Sequence, residues 1–433
     1  MEKEKSSGLV RVMGRWTLTA LVINSIIGSG IFGLPSVIAG YLGTRSPLAY
    51  LIAAAGMGII IACFAEVASR FGAAGGPYLY AREAFGRIVG IEVGFLLLTL
   101  KIAVAAAGAD LFADYLVELW PAAQEPAIRL AVLTLLIGFL AALNVYGVKA
   151  GASANNFFTV AKLAPLIFFA VAGGVFVLVH RSAVPAATPH AGSFPMRNWF
   201  EAAIILTFPF GGFEGAVIPM AEAKNPRRDI PFALFAGMAT VTLVYCTIQY
   251  VVVSVLPDAA ATTRPLAAAA KQLWGTTGAS LISLGALISV YGYLTAMMLH
   301  SPRLIFALGE RGDFPRFFAR IHRRFHTPYI SILAFAAILW CLAVAGSFRW
   351  NVIVSAVGRL LVYGFTCAAL PVLRRRHPNA QAFCLPGGDV LAVVGVVLVG
   401  MLAAQLTHVE EAIVTAAVAL ALSNRLWQRE RAN

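Results

Sequence analysis

Twelve apolar stretches follow one another along the chain with only short connections between them. They lie near residues 17–42, 46–69, 86–113, 128–148, 154–180, 199–222, 231–256, 278–308, 328–346, 351–373, 388–406 and 409–426. Each is close to, or above, the roughly 20 residues that carry a helix across a bilayer. In lipid every backbone N–H and C=O has to be satisfied within the chain, and helices do this locally. The expected fold class is therefore an all-α polytopic membrane protein with twelve transmembrane helices. A composition of 60% hydrophobic and 12% charged residues leaves no soluble domain to place. The longest connections are near 181–198, 257–277, 309–327 and 374–387. One of them holds Leu266, Ala270 and Leu273 at helical spacing, so 262–274 reads as a surface helix.

The formal net charge is +13, which in a soluble protein would suggest nucleic acid or acidic partners. Placement argues against nucleic acid here. With a cytoplasmic N-terminus, about 23 Lys and Arg fall in inner segments and about 7 in outer ones, the bias of the positive-inside rule. Both termini are expected in the cytoplasm of a multi-pass protein of the inner or plasma membrane. No cleavable signal peptide precedes the first span, and Met1–Arg15 reads as a charged tail. Cys63, Cys246, Cys341 and Cys367 fall within spans and Cys384 near the start of another. They have no metal-ligand or disulfide spacing and read as small apolar residues. The expected partners are the lipid bilayer and a small-molecule substrate, with no obligate protein partner and no metal or organic cofactor.

The first apolar stretch is interrupted. Asn24-Ser25-Ile26-Ile27-Gly28-Ser29-Gly30-Ile31-Phe32 places two glycines around a serine at mid-depth, where the backbone is invited to unwind. The sixth stretch repeats the pattern with Phe208-Pro209-Phe210-Gly211-Gly212-Phe213-Glu214. Unwound backbone inside a membrane is tolerated where it is buried in protein or lines a cavity. A pair of such spans, one in each half of a chain, points to a transporter site. Gly-mediated helix packing is the plainer reading of the same residues.

Each break exposes a half-helix end. After Gly30 the new N-terminus offers N–H groups, and Ser29, Gly30 and Ile31 with the Ser29 hydroxyl are candidates to hold a carboxylate. At Gly211-Gly212 the freed carbonyls suit an ammonium group. An anion site beside a cation site fits the two α-groups of an amino acid. Phe208 and Phe210 form either an apolar wall or core packing. Glu214, an acid at this depth, reads as a proton-sensitive gate, a partner for Lys101 or a cationic substrate, or a structural ion pair.

Three cations, Lys101, Lys162 and Arg359, fall within spans, where each needs a partner, a task or a route to the interface by snorkelling. The spans hold few acids, no His-Glu-x-x-His motif and no Gly-rich Lys loop of the Walker type, so no catalytic constellation speaks for an enzyme. A channel calls for repeated polar residues along a continuous pore, which two mid-helix breaks do not supply.

These motifs resemble the amino acid–polyamine–organocation (APC) superfamily of secondary transporters. The resemblance is carried by Ile27-Gly28-Ser29-Gly30-Ile31-Phe32. It continues in Glu66-Val67-Ala68-Ser69 with Gly75-Gly76-Pro77-Tyr78-Leu79-Tyr80 and Phe85-Gly86. Phe208 to Glu214 follow, then Glu222-Ala223-Lys224-Asn225-Pro226-Arg227-Arg228-Asp229-Ile230-Pro231. Last come Arg303, Arg311-Gly312-Asp313-Phe314-Pro315 and Thr327-Pro328. Together they cover most of residues 16 to 331.

The resemblance implies a LeuT-type fold. A cytoplasmic tail, 1–15, would precede a first inverted repeat of helices 1–5 at 16–181 and a second of helices 6–10 at 182–373. Two peripheral helices at 374–426 and a cytoplasmic tail at 427–433 would follow. Substrate would sit between broken helices 1 and 6, at Ile27, Gly28, Ser29, Gly30, Ile31, Phe208, Phe210, Gly211 and Gly212. Ser289 and Tyr293 of helix 8 would complete the pocket. Phe208 and Glu214 would match gating positions. Lys162 resembles a helix-five lysine whose amine stands in the place of a sodium ion in proton-coupled relatives. Desolvation penalises an ammonium, so such a lysine can release its proton in one state and regain it in another. The expected coupling ion is the proton rather than sodium. Lys101 departs from the family pattern, and pairing with Glu214, selection of an acidic side chain and packing against another helix are all open to it. The expected activity is proton-coupled symport of amino acids, with exchange of amino acids or polyamines as the alternative.

Overall fold

The computed structural model describes residues 14–71, 76–147, 152–180, 195–217, 224–310, 312–376, 378, 382–408 and 415. Outside them lie residues 1–13 and 427–433, the twelfth apolar stretch apart from residue 415, and Gly75, Glu222, Ala223 and Arg311 of the sequence motifs. The described residues form helices and contain no strand. In chain order these are α1 (Arg15–Ile26), α2 (Gly30–Leu42), α3 (Ser46–Ser69), α4 (Gly76–Phe85), α5 (Arg87–Leu119), α6 (Pro126–Tyr146) and α7 (Ala152–Val179). After them come α8 (Met196–Phe210), α9 (Phe213–Ala216), α10 (Pro226–Val255), α11 (Pro265–Glu310), α12 (Tyr329–Ala345), α13 (Phe348–Arg376) and α14 (Gly388–Ala403).

Among the described residues, seven helical stretches are long and apolar enough to cross a membrane: Gly30–Ser69, Arg87–Leu119, Pro126–Tyr146, Lys162–Val179, Arg227–Val255, Pro265–Glu310 and Phe348–Arg376. Two shorter apolar helices are α12 and α14. The breaks explain part of the difference from twelve: the second cuts the sixth stretch, leaving α8 with 15 residues, and the first leaves α2 to run on with α3 as the single stretch Gly30–Ser69. The expected surface helix is the first part of α11. It begins at Pro265, runs to a kink at Gly275, and buries Leu266 and Ala270 completely.

The centre of the bundle is α5, which packs against α4, α11, α12 and α13. Its middle is built of small residues, and Ala103, Ala105, Ala106, Ala107, Gly108 and Ala109 are all buried. Without large side chains the helices approach closely, which is how membrane helices gain packing energy when lipid is as apolar as their partners. The outside is apolar as well. Leu135, Phe139, Val171, Val175, Val393 and Val397 are exposed on α6, α7 and α14, forming surfaces that suit lipid rather than water.

The residues of the dispersed motifs tie loops to helix ends. The fully buried Glu66 carboxylate accepts hydrogen bonds from Arg374 Nε and Nη2 at 2.7 Å each and from Arg70 Nη2 at 2.7 Å. The backbone N–H of Leu385 donates to it at 2.8 Å. Ser69 Oγ accepts from the N–H of Phe383 at 2.9 Å. The buried Asp313 accepts two bonds from Arg87, at 2.7 and 3.0 Å, fixing the loop after α11 to the start of α5. Buried charges hold together only when paired and fully hydrogen-bonded, as Glu66 is.

Removing that carboxylate leaves Arg374 and Arg70 without their common acceptor. Glu66→Ala should therefore lower stability by about 3–5 kcal/mol. Denaturation of the purified protein in detergent reads the loss directly, and an unchanged midpoint would contradict the role assigned to Glu66.

Candidate functional site

Both interruptions lie in the glycine stretches. Helix α1 ends where Ile27 turns extended, with φ −70° and ψ 101°, and α2 starts at Gly30. Helix α8 ends at Phe210. Gly211 follows in extended backbone, and Gly212 takes φ +104°, a left-handed value that side-chain-bearing residues avoid. The short helix α9 then begins.

The two breaks are packed against each other, and glycine is what permits it. A Cβ on Gly30 would lie 2.9 Å from Cδ1 of Phe208 and 3.1 Å from Cβ of Pro209. A Cβ on Gly212 would strike the carbonyl oxygen of Ser25, and one on Gly211 would strike the guanidinium of Arg359. Gly28 faces Tyr293, with a Cβ placed there 3.7 Å from the ring. Ser289 lies one turn before Tyr293 on α11, buried, its hydroxyl without a hydrogen-bond partner among the described residues. The Ser29 hydroxyl is buried and unpartnered too.

Cutting a helix frees the carbonyls of its last turn. At the end of α1 they meet Lys162. Its ammonium donates to the carbonyl of Asn24 at 2.5 Å and to that of Ile27 at 2.8 Å. At the end of α8 they meet Arg359, whose Nη1 donates to the carbonyls of Thr207 at 3.0 Å and Phe208 at 2.7 Å. The hydroxyl of Tyr245 lies between the two ends, 3.3 Å from the carbonyl of Ile26 and 3.2 Å from that of Pro209. A cation at a helix C-terminus is also favoured by the helix dipole.

Glu214 turns back on its own break. Its Oε2 accepts from the N–H of Gly212 at 2.7 Å and from the hydroxyl of Tyr363 at 3.0 Å. Its Oε1 lies 3.4 Å from Nη2 of Arg359. Arg359 is 3% exposed, so it does not snorkel. It bridges α13 to both sides of the second break. The guanidinium also sits over the ring of Phe208, 5.9 Å from its centroid. Lys101 on α5 is within electrostatic reach of both Glu214 and Arg359, but the partner of Glu214 is Arg359.

The aromatic pair separates. Phe208 stands at the junction of the breaks, with the edge of Phe348 at 6.4 Å between ring centroids. Phe210 is fully buried against Tyr50 and Tyr245, at 6.2 and 5.5 Å, which is core packing. Ile27 and Ile31 are buried on either side of the first break. Sequence reasoning missed Tyr245 and Tyr363, which are unremarkable in an apolar stretch. It singled out Arg359 without giving it a place. Among the described residues no three His, Cys, Asp or Glu side chains gather as a metal-ion cluster.

The arrangement offers, in one buried region, a free half-helix N-terminus, unpartnered hydroxyls and fixed charges. Comparison with known proteins agrees in kind. The amino acid permease family matches over residues 13–421. The methylthioribose transporter of Bacillus subtilis is 25% identical over 90% of this chain and 87% of its own length. The branched-chain amino acid permease BcaP of the same organism is 25% identical over 90% of this chain and 86% of its own. Its serine/threonine exchanger SteT is 27% identical over 76% of this chain and 75% of its own.

Gly212→Ala sets a side chain against the Ser25 carbonyl in a conformation that alanine resists. It should abolish ligand binding while the protein still inserts and purifies. Equilibrium binding of a radiolabelled ligand to wild type and variant tests this, and retained affinity would show that the close approach is dispensable.

Proposed function

This chain belongs to the amino acid permease family, a family of membrane transporters and not of enzymes, and from that premise we propose that it is a secondary transporter that moves amino acids by alternating access, driven by protons. The observation that carries the coupling is Lys162. Its ammonium bridges the carbonyls of Asn24 and Ile27 at the end of α1, as a bound monovalent cation would. An ammonium between carbonyl oxygens can lose its proton when a conformational change takes those oxygens away and leaves the amine desolvated, and a metal ion is then not needed. The substrate lies at the junction of the breaks, with Ser29, Gly30 and Ile31 on one side and Phe208, Gly211 and Gly212 on the other. Ser289 and Tyr293 line it from α11. Glu214, with Lys101 near it, is the second charged element that a change of state has to rearrange.

The proposed architecture around this site has twelve spans. Residues 16–181 and 182–373 are two inverted repeats of five helices, and 374–426 are two peripheral helices. Both tails face the cytoplasm of the inner or plasma membrane, in keeping with the excess of Lys and Arg in the inner loops.

Uptake of a radiolabelled amino acid panel into empty proteoliposomes, under an inward proton gradient, tests the proposal. Gradient-driven uptake is expected in the wild type, with at least a ten-fold loss in Lys162→Ala. Uptake that appears only when the vesicles are preloaded with amino acid would replace symport by exchange, the activity named for the similar SteT. Gradient-driven uptake untouched by Lys162→Ala would move the coupling away from this lysine.

A further inference from the structure

The proposed site has more fixed positive charge than an amino acid zwitterion needs. Among the described residues Lys101, Lys162 and Arg359 stand around the two breaks, against one carboxylate, Glu214. Even with Lys162 neutral, the cations outnumber the acid. Glu214 has little left to offer a ligand, since the Gly212 N–H, the Tyr363 hydroxyl and Arg359 already engage it.

The cation-binding groups are likewise in use. A broken helix would offer a ligand's ammonium the carbonyls at its C-terminal end. Here those of Asn24 and Ile27 hold Lys162, those of Thr207 and Phe208 hold Arg359, and those of Ile26 and Pro209 share Tyr245. Resident donors thus cap both ends. Apart from one unpartnered acceptor, Asn24 Oδ1, what remains open is of the opposite character. The first turn of α2 has no side-chain cap, so it has N–H groups to offer, and the buried Ser29 hydroxyl beside it has no partner among the described residues. Ser289 Oγ is unpartnered. Arg359, 3% exposed, has an Nε that donates to nothing among the described residues and lies against Gly211, at the second break. A buried guanidinium N–H without an acceptor is costly, and a carboxylate is the acceptor that matches it best.

These groups fall on two sides of one ring. Gly30, at the start of α2, meets the edge of Phe208, and Arg359 lies over the ring. One carboxylate at the α2 N-terminus and a second at the unpartnered Nε of Arg359 would straddle Phe208.

We infer that the site is built for an amino acid with two carboxylates, and that Arg359 is the residue that selects the second one. This rests on the transport reading above and narrows it to acidic amino acids, excluding cationic amino acids and polyamines. The α-ammonium is common to glutamate and glutamine and cancels when they are compared, so the side-chain charge is what the comparison reads.

The test is displacement binding on the full chain in detergent or nanodiscs. The bound labels are L-glutamate and, separately, L-leucine. The competitors are glutamate, glutamine, aspartate, asparagine, leucine, lysine and putrescine. The expected result is that each acid binds at least ten-fold more tightly than its amide, with lysine and putrescine not competing. In Arg359→Met combined with Glu214→Gln, which removes both buried charges together, the preference should fall below about three-fold. In Arg359→Lys, which keeps the charge, most of it should survive. If the paired variant fails to fold, the acid-to-amide ratio of the wild type and of Arg359→Lys decides. Glutamine or leucine binding as tightly as glutamate in the wild type overturns the inference and leaves amino acid transport standing. Binding of no amino acid in either labelled series overturns both.

Discussion

A helix cut inside a membrane releases carbonyls at one new end and N–H groups at the other, and lipid can satisfy neither. The rest of the structure answers that constraint. Lys162 comes from α7, Arg359 from α13 and Tyr245 from α10, each from a different helix, to reach the carbonyl ends of α1 and α8. Burying a cation costs several kcal/mol unless it is well paired, and here the cost is offset by carbonyl dipoles aligned along a helix. The arrangement therefore supports in both directions. The broken helices make the buried cations tolerable, and the cations make the breaks tolerable.

The breaks themselves were legible because glycine is legible. Gly28-Ser29-Gly30 and Gly211-Gly212 in otherwise apolar stretches have few readings, and the geometry shows the close approaches that glycine permits, to Phe208, Ser25 and Arg359. Lys162 was legible as a cation in a span, but the carbonyls of Asn24 and Ile27 that it meets were not. Arg359 was seen but not placed, because position within a span says how deep a residue lies and not which way it points. Glu214 had Lys101 among its candidate partners for the same reason. Charges on separate helices cannot be matched by sequence separation, and the 145 positions between Glu214 and Arg359 carry no register. The tyrosines were invisible, since a phenol in an apolar helix looks like any other aromatic until its hydroxyl finds an acceptor.

The family motifs outside the breaks gain a physical meaning. Glu66, Ser69 and Asp313 are not near the junction of α1 and α8. They are acceptors at helix ends, and each reaches a distant part of the chain: Arg374 and Leu385, Phe383, and Arg87. Such bonds fix how the helix ends sit relative to one another, while the small-residue centre of α5 fixes how closely the helices lie. The junction of the breaks is thus framed by rigid polar ties at its margins and by a smooth alanine-rich surface at its core, over which neighbouring helices meet few obstacles to sliding.

The hydroxyl of Tyr245 has two acceptors, the carbonyls of Ile26 and Pro209, and a single proton. It can give that proton to only one of them at a time. While α1 and α8 stay as close as they are here, the choice is immaterial, because each carbonyl is near enough to share it. Once the two ends draw apart, the phenol has to side with one helix and abandon the other. It then behaves as a two-way toggle carried on α10, and the helix it leaves must recruit water or another donor to take its place. The same small group that joins the breaks in this arrangement would record, by the side it keeps, which of them had moved.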